Sequence, residues 1–133
     1  MSSWPLFVYG TLRRGNSNRH ARLLEHSALF LGSARVQGRL YRVQWYPGMT
    51  LRADVGEWVA GDLFRVRDPM VLAALDEYEG SNEYRRVLTT AVLENGEETR
   101  CWVYEYIGPV KEERRIESGD WMGEGLVSPR PKL

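Results

Sequence analysis

The sequence is short of most features that would fix its chemistry at once. It has one cysteine, Cys101, so no internal disulfide can form. Cys101 sits in the apolar stretch RCWVYEYI, which suits a buried, inert thiol, and nothing near it in sequence would activate it. The two histidines, His20 and His26, have no Cys or carboxylate partners at metal-ligand spacing, so no metal and no cofactor are expected. Charge of one sign is also missing: 18 basic residues face 18 acidic ones. That balance gives no field to attract nucleic acid or an anionic membrane, and neither is an expected partner. No apolar run approaches the roughly 20 residues needed to span a bilayer. No charged start leads into an apolar signal core, and a reducing cytoplasm is the expected compartment. There is no internal repeat and no low-complexity linker. The 133 residues suit one domain, 1–133, with a single core. About 10 residues at the C-terminal end, with their prolines, are expected to be loose.

What is present is mostly strand. Leu6 to Tyr9 is a brief apolar run, too short for a helix. Asn16, Ser17 and Asn18 offer N-caps for a short helix through RHARLLEH. Residues 28–44 predict two strand segments with bends or bulges at Gly32 and Gly38. Pro47-Gly48 is a turn signal, and GEWVAGDLFRVRD predicts another strand with a bend at Gly61. The clearest helix comes next: Asp68 caps it, Pro69 suits its first position, and Val71, Leu72, Leu75 and Tyr78 recur at helical spacing. Gly80 fits the position just past its end, where a left-handed backbone is needed. Asn95-Gly96 marks a hairpin turn within residues 85–107. No long helical crossovers separate the strands. The pattern therefore favours an α+β domain or a barrel with helices outside over a doubly wound sheet.

Two stretches carry chemistry. In LFVYGTLRRG, the strand breaks into Tyr9-Gly10-Thr11-Leu12. Gly10 permits a sharp turn and the close approach of a ligand, and successive amides in such a turn can form a nest for a carboxylate. A Walker phosphate loop is excluded, because the Gly-Lys-Ser/Thr ending is missing. The plain alternative is an ordinary tight turn with Tyr9 in the core. In LDEYEGSNEYRR, Glu79 lies seven residues after Leu72 and four after Leu75, so it shares the buried face of its helix, while Asp76 and Glu77 are expected to meet water. A carboxylate there loses hydration and sits at the negative end of the helix dipole, and both raise its pKa. Either Glu79 is functional, or its stem reaches the surface or pairs with Arg85 or Arg86.

Together the two stretches resemble the γ-glutamylcyclotransferase-like superfamily, its γ-glutamylamine cyclotransferase and avirulence-induced-protein-like branch. The resemblance extends through GRLYRV, YPG, GDLFRV, CWVYEY and SGDW, so it spans nearly the whole chain. The start motif runs on here as Ser17-Asn18-Arg19-His20, where relatives often have Ser-Asn-His. The resemblance implies an α+β fold, a small mixed-strand β-barrel with helices packed outside. It implies that Tyr9, Gly10, Thr11 and Leu12 bind the amino-acid end of a substrate, that Tyr84 lines the pocket, and that Tyr104 adds to the lining. It implies Glu79 as acid and base in a reaction releasing 5-oxoproline from a γ-glutamyl amine or peptide. The substrate's own α-amino group attacks, so the chemistry needs no enzyme nucleophile, metal or cofactor.

The implied partner is a small γ-glutamyl molecule, and the expected state is a monomer or weak dimer. The leaving group on the γ-glutamyl unit would be selected by an outer wall around residues 44–58. The rival reading is a binding module that holds a small ligand or a peptide end in the same pocket without turnover.

Overall fold

The structure, a computed structural model, describes residues 4–52, 56–80 and 82–124. The tail expected to be loose lies outside the described residues from position 125 onward. In chain order the elements are β1 (Leu6–Val8), α1 (Arg19–Ser27), β2 (Ala28–Arg42), β3 (Pro47–Leu51), β4 (Trp58–Val66), α2 (Pro69–Glu79), β5 (Tyr84–Leu93), β6 (Glu98–Tyr106) and β7 (Arg115–Ile116). Short 3-10 turns cover Glu112–Arg114 and Trp121–Glu124.

Five strands close into a barrel. β1 pairs antiparallel with β4, β4 with β2, and β2 with β3. β3 then runs parallel to β6, and β6 parallel to β1, completing the ring. β5 extends the wall beside β6 and reaches β2 at Ala34–Val36, while β7 caps β2 at Leu40 and Tyr41. The fold is the expected α+β, mixed-strand barrel with helices outside.

Strand alternation sorts the side chains into two layers. Phe7, Val36, Met49, Leu63 and Val103, one from each strand of the ring, fill the barrel. Leu6, Val8 and Phe64 point the other way and pack beneath Leu24 of α1 and Leu75 and Tyr78 of α2. Burying a side chain of this size stabilises the fold by about 1.5–3 kcal/mol.

Local signals hold where they are self-contained. Asn18 caps α1 by accepting from Ala21 N at 2.8 Å, Asp68 caps α2 by accepting from Met70 N at 2.9 Å, and Gly80 has φ 86°. Three expectations fail. Pro47-Gly48 opens β3 rather than turning the chain, and the turn falls just before it, closed by Val43 N to Tyr46 O at 3.0 Å. β2 is one strand rather than two segments; the bulge expected at Gly32 is present, between Phe30 and Gly32, but no break falls at Gly38. Gly38 and Gly61 lie within regular strands, where a Cβ would strike Thr50 O and Val8 O respectively. Their lack of a side chain serves close strand approach, not bending.

Candidate functional site

The loop that leaves β1 is a tight turn. Arg13 N donates to Gly10 O at 3.0 Å, which makes Thr11 and Leu12 the central residues of a four-residue turn. Asparagine amides hold its carbonyls from outside. Asn16 Nδ2 donates to Arg13 O at 2.7 Å and Gly10 O at 3.3 Å, and Asn18 Nδ2 donates to Thr11 O at 2.6 Å. The N–H groups of Thr11 and Leu12 take no part in these bonds. Gly10 does not have a positive φ; that conformation falls to Gly15, at φ 95°. What position 10 requires is space, because a Cβ there would lie 2.7 Å from Pro47 Cγ.

The facing wall comes from the end of α2. Gly80 N donates to Asp76 O at 3.1 Å, and Gly80 O accepts from Tyr84 N at 3.0 Å. This reversal sets Glu79 and Tyr84 on one wall. Tyr9, Gly10, Thr11, Leu12, Tyr84, Tyr104 and Glu79 all line a single pocket of about 360 Å³ counting its open mouth, together with Phe7, Val8, Tyr46 and Pro47. Among the described residues Glu79, half-buried, is the one acid in that lining. A wider groove, bordered by Asp76, Arg85, Arg86 and Ile107, meets the pocket at Glu79, Tyr84 and Tyr104.

The tyrosines are fixed by their hydroxyls. Tyr9 is buried, donating to Tyr104 O at 2.7 Å and accepting from Met49 N at 3.0 Å. Its ring is thus held in the core, at the edge of the pocket that Tyr9 helps to line. Tyr84 donates to Pro47 O at 2.6 Å, and Tyr104 donates to Asp76 Oδ1 at 2.6 Å. Tyr78 Oη and Thr11 Oγ1 share a hydrogen bond of 2.8 Å, which ties α2 to the loop, and the His20 ring stacks on Tyr78 at 4.2 Å.

Burial is the main cause that raises the phenol pKa values of Tyr9, Tyr46, Tyr78, Tyr84 and Tyr104, with Tyr78 pushed up to about 12. The charge of Glu79 raises all five further. One carboxylate is therefore ringed by neutral phenols at pH 7. Cys101, buried on β6 and absent from the lining, has its thiol pushed up to about 12 by burial.

Asp76 does not simply face water. Its two oxygens accept from Arg86 Nε at 2.8 Å and Nη2 at 3.1 Å, in addition to the Tyr104 hydroxyl. Arg86 is thus held by Asp76, and Arg85 lies 3.6 Å from Glu105. Glu77 is exposed, as expected. Sequence reasoning missed Arg13 and Asp62, and it read Asn16 and Asn18 only as helix caps and Tyr78 only as a core residue. The motif GDLFRV held the signal for Asp62, a carboxylate among the buried residues of a largely apolar strand, 4% exposed. Among the described residues no group of His, Cys, Asp and Glu could hold a metal ion, and no helix is long and apolar enough to cross a membrane.

Comparison with known proteins gives a consistent result. Residues 6–123 match the sequence model of the gamma-glutamyl cyclotransferase, AIG2-like family. The chain is 33% identical over 119 residues to the Escherichia coli gamma-glutamylcyclotransferase family protein YtfP, covering 88% of this chain and 95% of that one. The solution structure of YtfP superposes with a TM-score of 0.64 over 89% of this chain and 96% of its own. The crystal structure of a mouse AIG2-like protein superposes with a TM-score of 0.76 at 25% identity, covering 96% of each chain.

Proposed function

This chain belongs to the gamma-glutamyl cyclotransferase, AIG2-like family, and we propose that it releases 5-oxoproline from a γ-glutamyl amine or peptide with Glu79 as general acid and base. It is a γ-glutamylcyclotransferase-like enzyme, and the reading gives its pocket a reaction. The observation that carries it is that Glu79, the one acid in the described lining, lies in the same cavity as the Gly10–Leu12 turn.

The substrate's α-carboxylate rests against the turn amides, and the γ-glutamyl chain folds back on itself within the pocket. Glu79 takes a proton from the α-ammonium. The freed amine attacks the side-chain carbonyl carbon, and the new N–C bond closes a five-membered ring. The tetrahedral intermediate collapses by breaking the bond to the departing nitrogen, which receives the proton held by Glu79. Of the three ammonium protons, one stays on the ring nitrogen and two end on the departing nitrogen, the second carried there from the ring nitrogen by Glu79 in turn, so that the amine leaves as an ammonium. Glu79 finishes as it began, ionised. Confinement in the ring-forming geometry supplies the orientation effect, and one carboxylate serves both transfers. The pocket tyrosines, held neutral by burial, shape the walls and do not compete for the proton. The groove beyond Glu79 gives the departing amine a way out. Tyr46 and Pro47 form part of the wall expected to select that amine; residues 53–55 of the same stretch lie outside the described residues.

The test is a panel of γ-glutamyl-ε-lysine, γ-glutamyl amino acids and glutathione with detection of 5-oxoproline. Product from at least one, lost in Glu79→Gln, supports the reading. Saturable binding across the panel without product makes the protein a binding module instead.

A further inference from the structure

We propose that Arg13 is a positioning residue for the Gly10–Leu12 turn, clamped between Asp62 and Asp120, a role that rests on the reading of that turn as the substrate's carboxylate site. Three stretches distant in sequence meet here: YGTLRRG, GDLFRV and SGDW. Arg13 Nη1 donates to Asp120 Oδ1 at 2.7 Å, while its Nε faces Asp62 Oδ2 at 3.8 Å, an ion-pair contact too long for a hydrogen bond. The Arg13 side chain is only 13% exposed. Its neighbour Arg14 is exposed and lies over the Phe30 ring.

Asp62 grips the loop twice. Besides facing the Arg13 guanidinium, its Oδ2 accepts the Arg14 backbone N–H at 2.7 Å. A carboxylate this buried is stable only with such partners. Asp120 is itself fixed: Oδ1 accepts from Met122 N at 3.0 Å, and its own N donates to Ser118 Oγ at 3.2 Å. The segment around it is fastened to β4 by Ala60 N to Gly119 O at 2.8 Å. Gly119 has φ 71° and no room for a Cβ against Trp58 O. Both anchors are therefore rigid.

Arg13 is also the residue whose N–H closes the turn on Gly10 O. Its side chain fixes the turn from behind, and its main chain fixes Thr11 and Leu12 in front. A planar guanidinium can hydrogen-bond Asp120 through Nη1 while keeping its charge beside Asp62 on the Nε side, a shape that a lysine ammonium does not reproduce. Holding a carboxylate site in shape lowers the cost of ordering it around the substrate.

The experiment uses Arg13→Gln, Asp120→Ala and Asp120→Asn in the full chain. It reads KM and kcat for whichever γ-glutamyl compound the wild type turns over, and hydrogen exchange of the peptide spanning Gly10–Arg14. For Arg13→Gln and Asp120→Ala we expect KM to rise about tenfold with kcat changed less than about twofold. Loop exchange should quicken about tenfold while the barrel strands exchange as before. Asp120→Asn recovers most of the loss, because its amide oxygen still accepts from Arg13. Asp120 is the milder site, being 41% exposed, and keeps the test interpretable if Arg13→Gln does not fold. Loop exchange equal to wild type, or a looser loop with KM unchanged, overturns the proposal. Absence of 5-oxoproline from the wild type defeats the cyclotransferase reading instead; loop exchange still decides whether the clamp exists.

Discussion

The Tyr104 hydroxyl donates to Asp76 Oδ1 at 2.6 Å, and the same oxygen accepts from Arg86 Nε at 2.8 Å. The carboxylate one helical turn before Glu79 is thus a fastening for the pocket wall, joining α2 to the β5–β6 hairpin. Arg86 is further steadied by lying 4.3 Å over the Trp102 ring.

Asp76→Ala should therefore do more than remove a surface charge. It strips the acceptor from Tyr104 and Arg86 together. With the Asp76 side chain 40% exposed, the cost should fall near the low end for charge-assisted bonds, about 1–2 kcal/mol. Urea unfolding reads this, and kcat/KM should fall with it. Glu77→Gln, on the exposed face, should leave both measurements within error. Equal behaviour of the two variants would remove Asp76 from the wall.

Glu79→Gln should lower kcat/KM by about 10²–10⁴-fold, the usual contribution of a positioned acid and base. Its unfolding midpoint should stay close to wild type, since Gln keeps the shape of a half-buried side chain. Near-normal turnover in a folded Glu79→Gln would give the proton transfers to another group.

Gly10→Ala should be poorly tolerated for a steric reason. The added methyl would meet Pro47 Cγ at 2.7 Å and Cδ at 2.9 Å, forcing the turn away from β3 at a cost of about 1–3 kcal/mol. Gly15→Ala meets nothing within 4 Å but must adopt φ 95°, so its cost should come from backbone strain alone. Only Gly10→Ala should raise KM as well. A pair of variants with the same KM as wild type would show that the turn tolerates displacement.

The pH dependence arises from the phenols. Tyr9, Tyr78, Tyr84 and Tyr104 have folded-state pKa values raised first by burial. Such a group contributes its full stability below the unfolded value of about 10 and loses it as pH climbs toward the folded one. Denaturant stability should therefore be insensitive to these residues at neutral pH and decline above pH about 10. Phenolate absorbance from these four should appear together with unfolding. Their ionisation in a still-folded chain at pH about 10 would contradict the burial described.

The parts of the fold that are legible in the sequence are those whose causes are local. Asp68, Pro69 and Gly80 bracket α2 with their own caps, and Asn95-Gly96 makes its own turn, with Gly96 at φ 90°. Pro47-Gly48 misleads because β2 and β6 flank it and draw it into the barrel wall, a pairing that no local window contains. The pocket lining is legible through two motifs that resemble a family. The role of Asp76 is hidden because its partners, Arg86 and Tyr104, arrive only when the β5–β6 hairpin folds back beside α2. Arg13 and Asp62 are hidden for the same reason: 48 positions separate Asp62 from its nearest loop partner, Arg14.

The parallel pairing of β1 with β6 has a consequence for how the protein comes to exist. Leu6 stands opposite Trp102, and Trp102 N donates to Pro5 O at 2.8 Å, so the first strand is seated by one of the last. Closing so long a loop carries a large entropic cost before any contact repays it, which makes such topologies slow to form. The turn that leaves β1 is likewise held by distant partners, Asp62 on β4 and Asp120 near the end of the described residues. A chain emerging from the ribosome therefore completes the surroundings of Tyr9 to Leu12 only late in its synthesis, when Tyr104 and Asp120 arrive. A chain truncated within β6 would keep β4 beside its N-terminal strand but lose the strand that closes the ring on the other side.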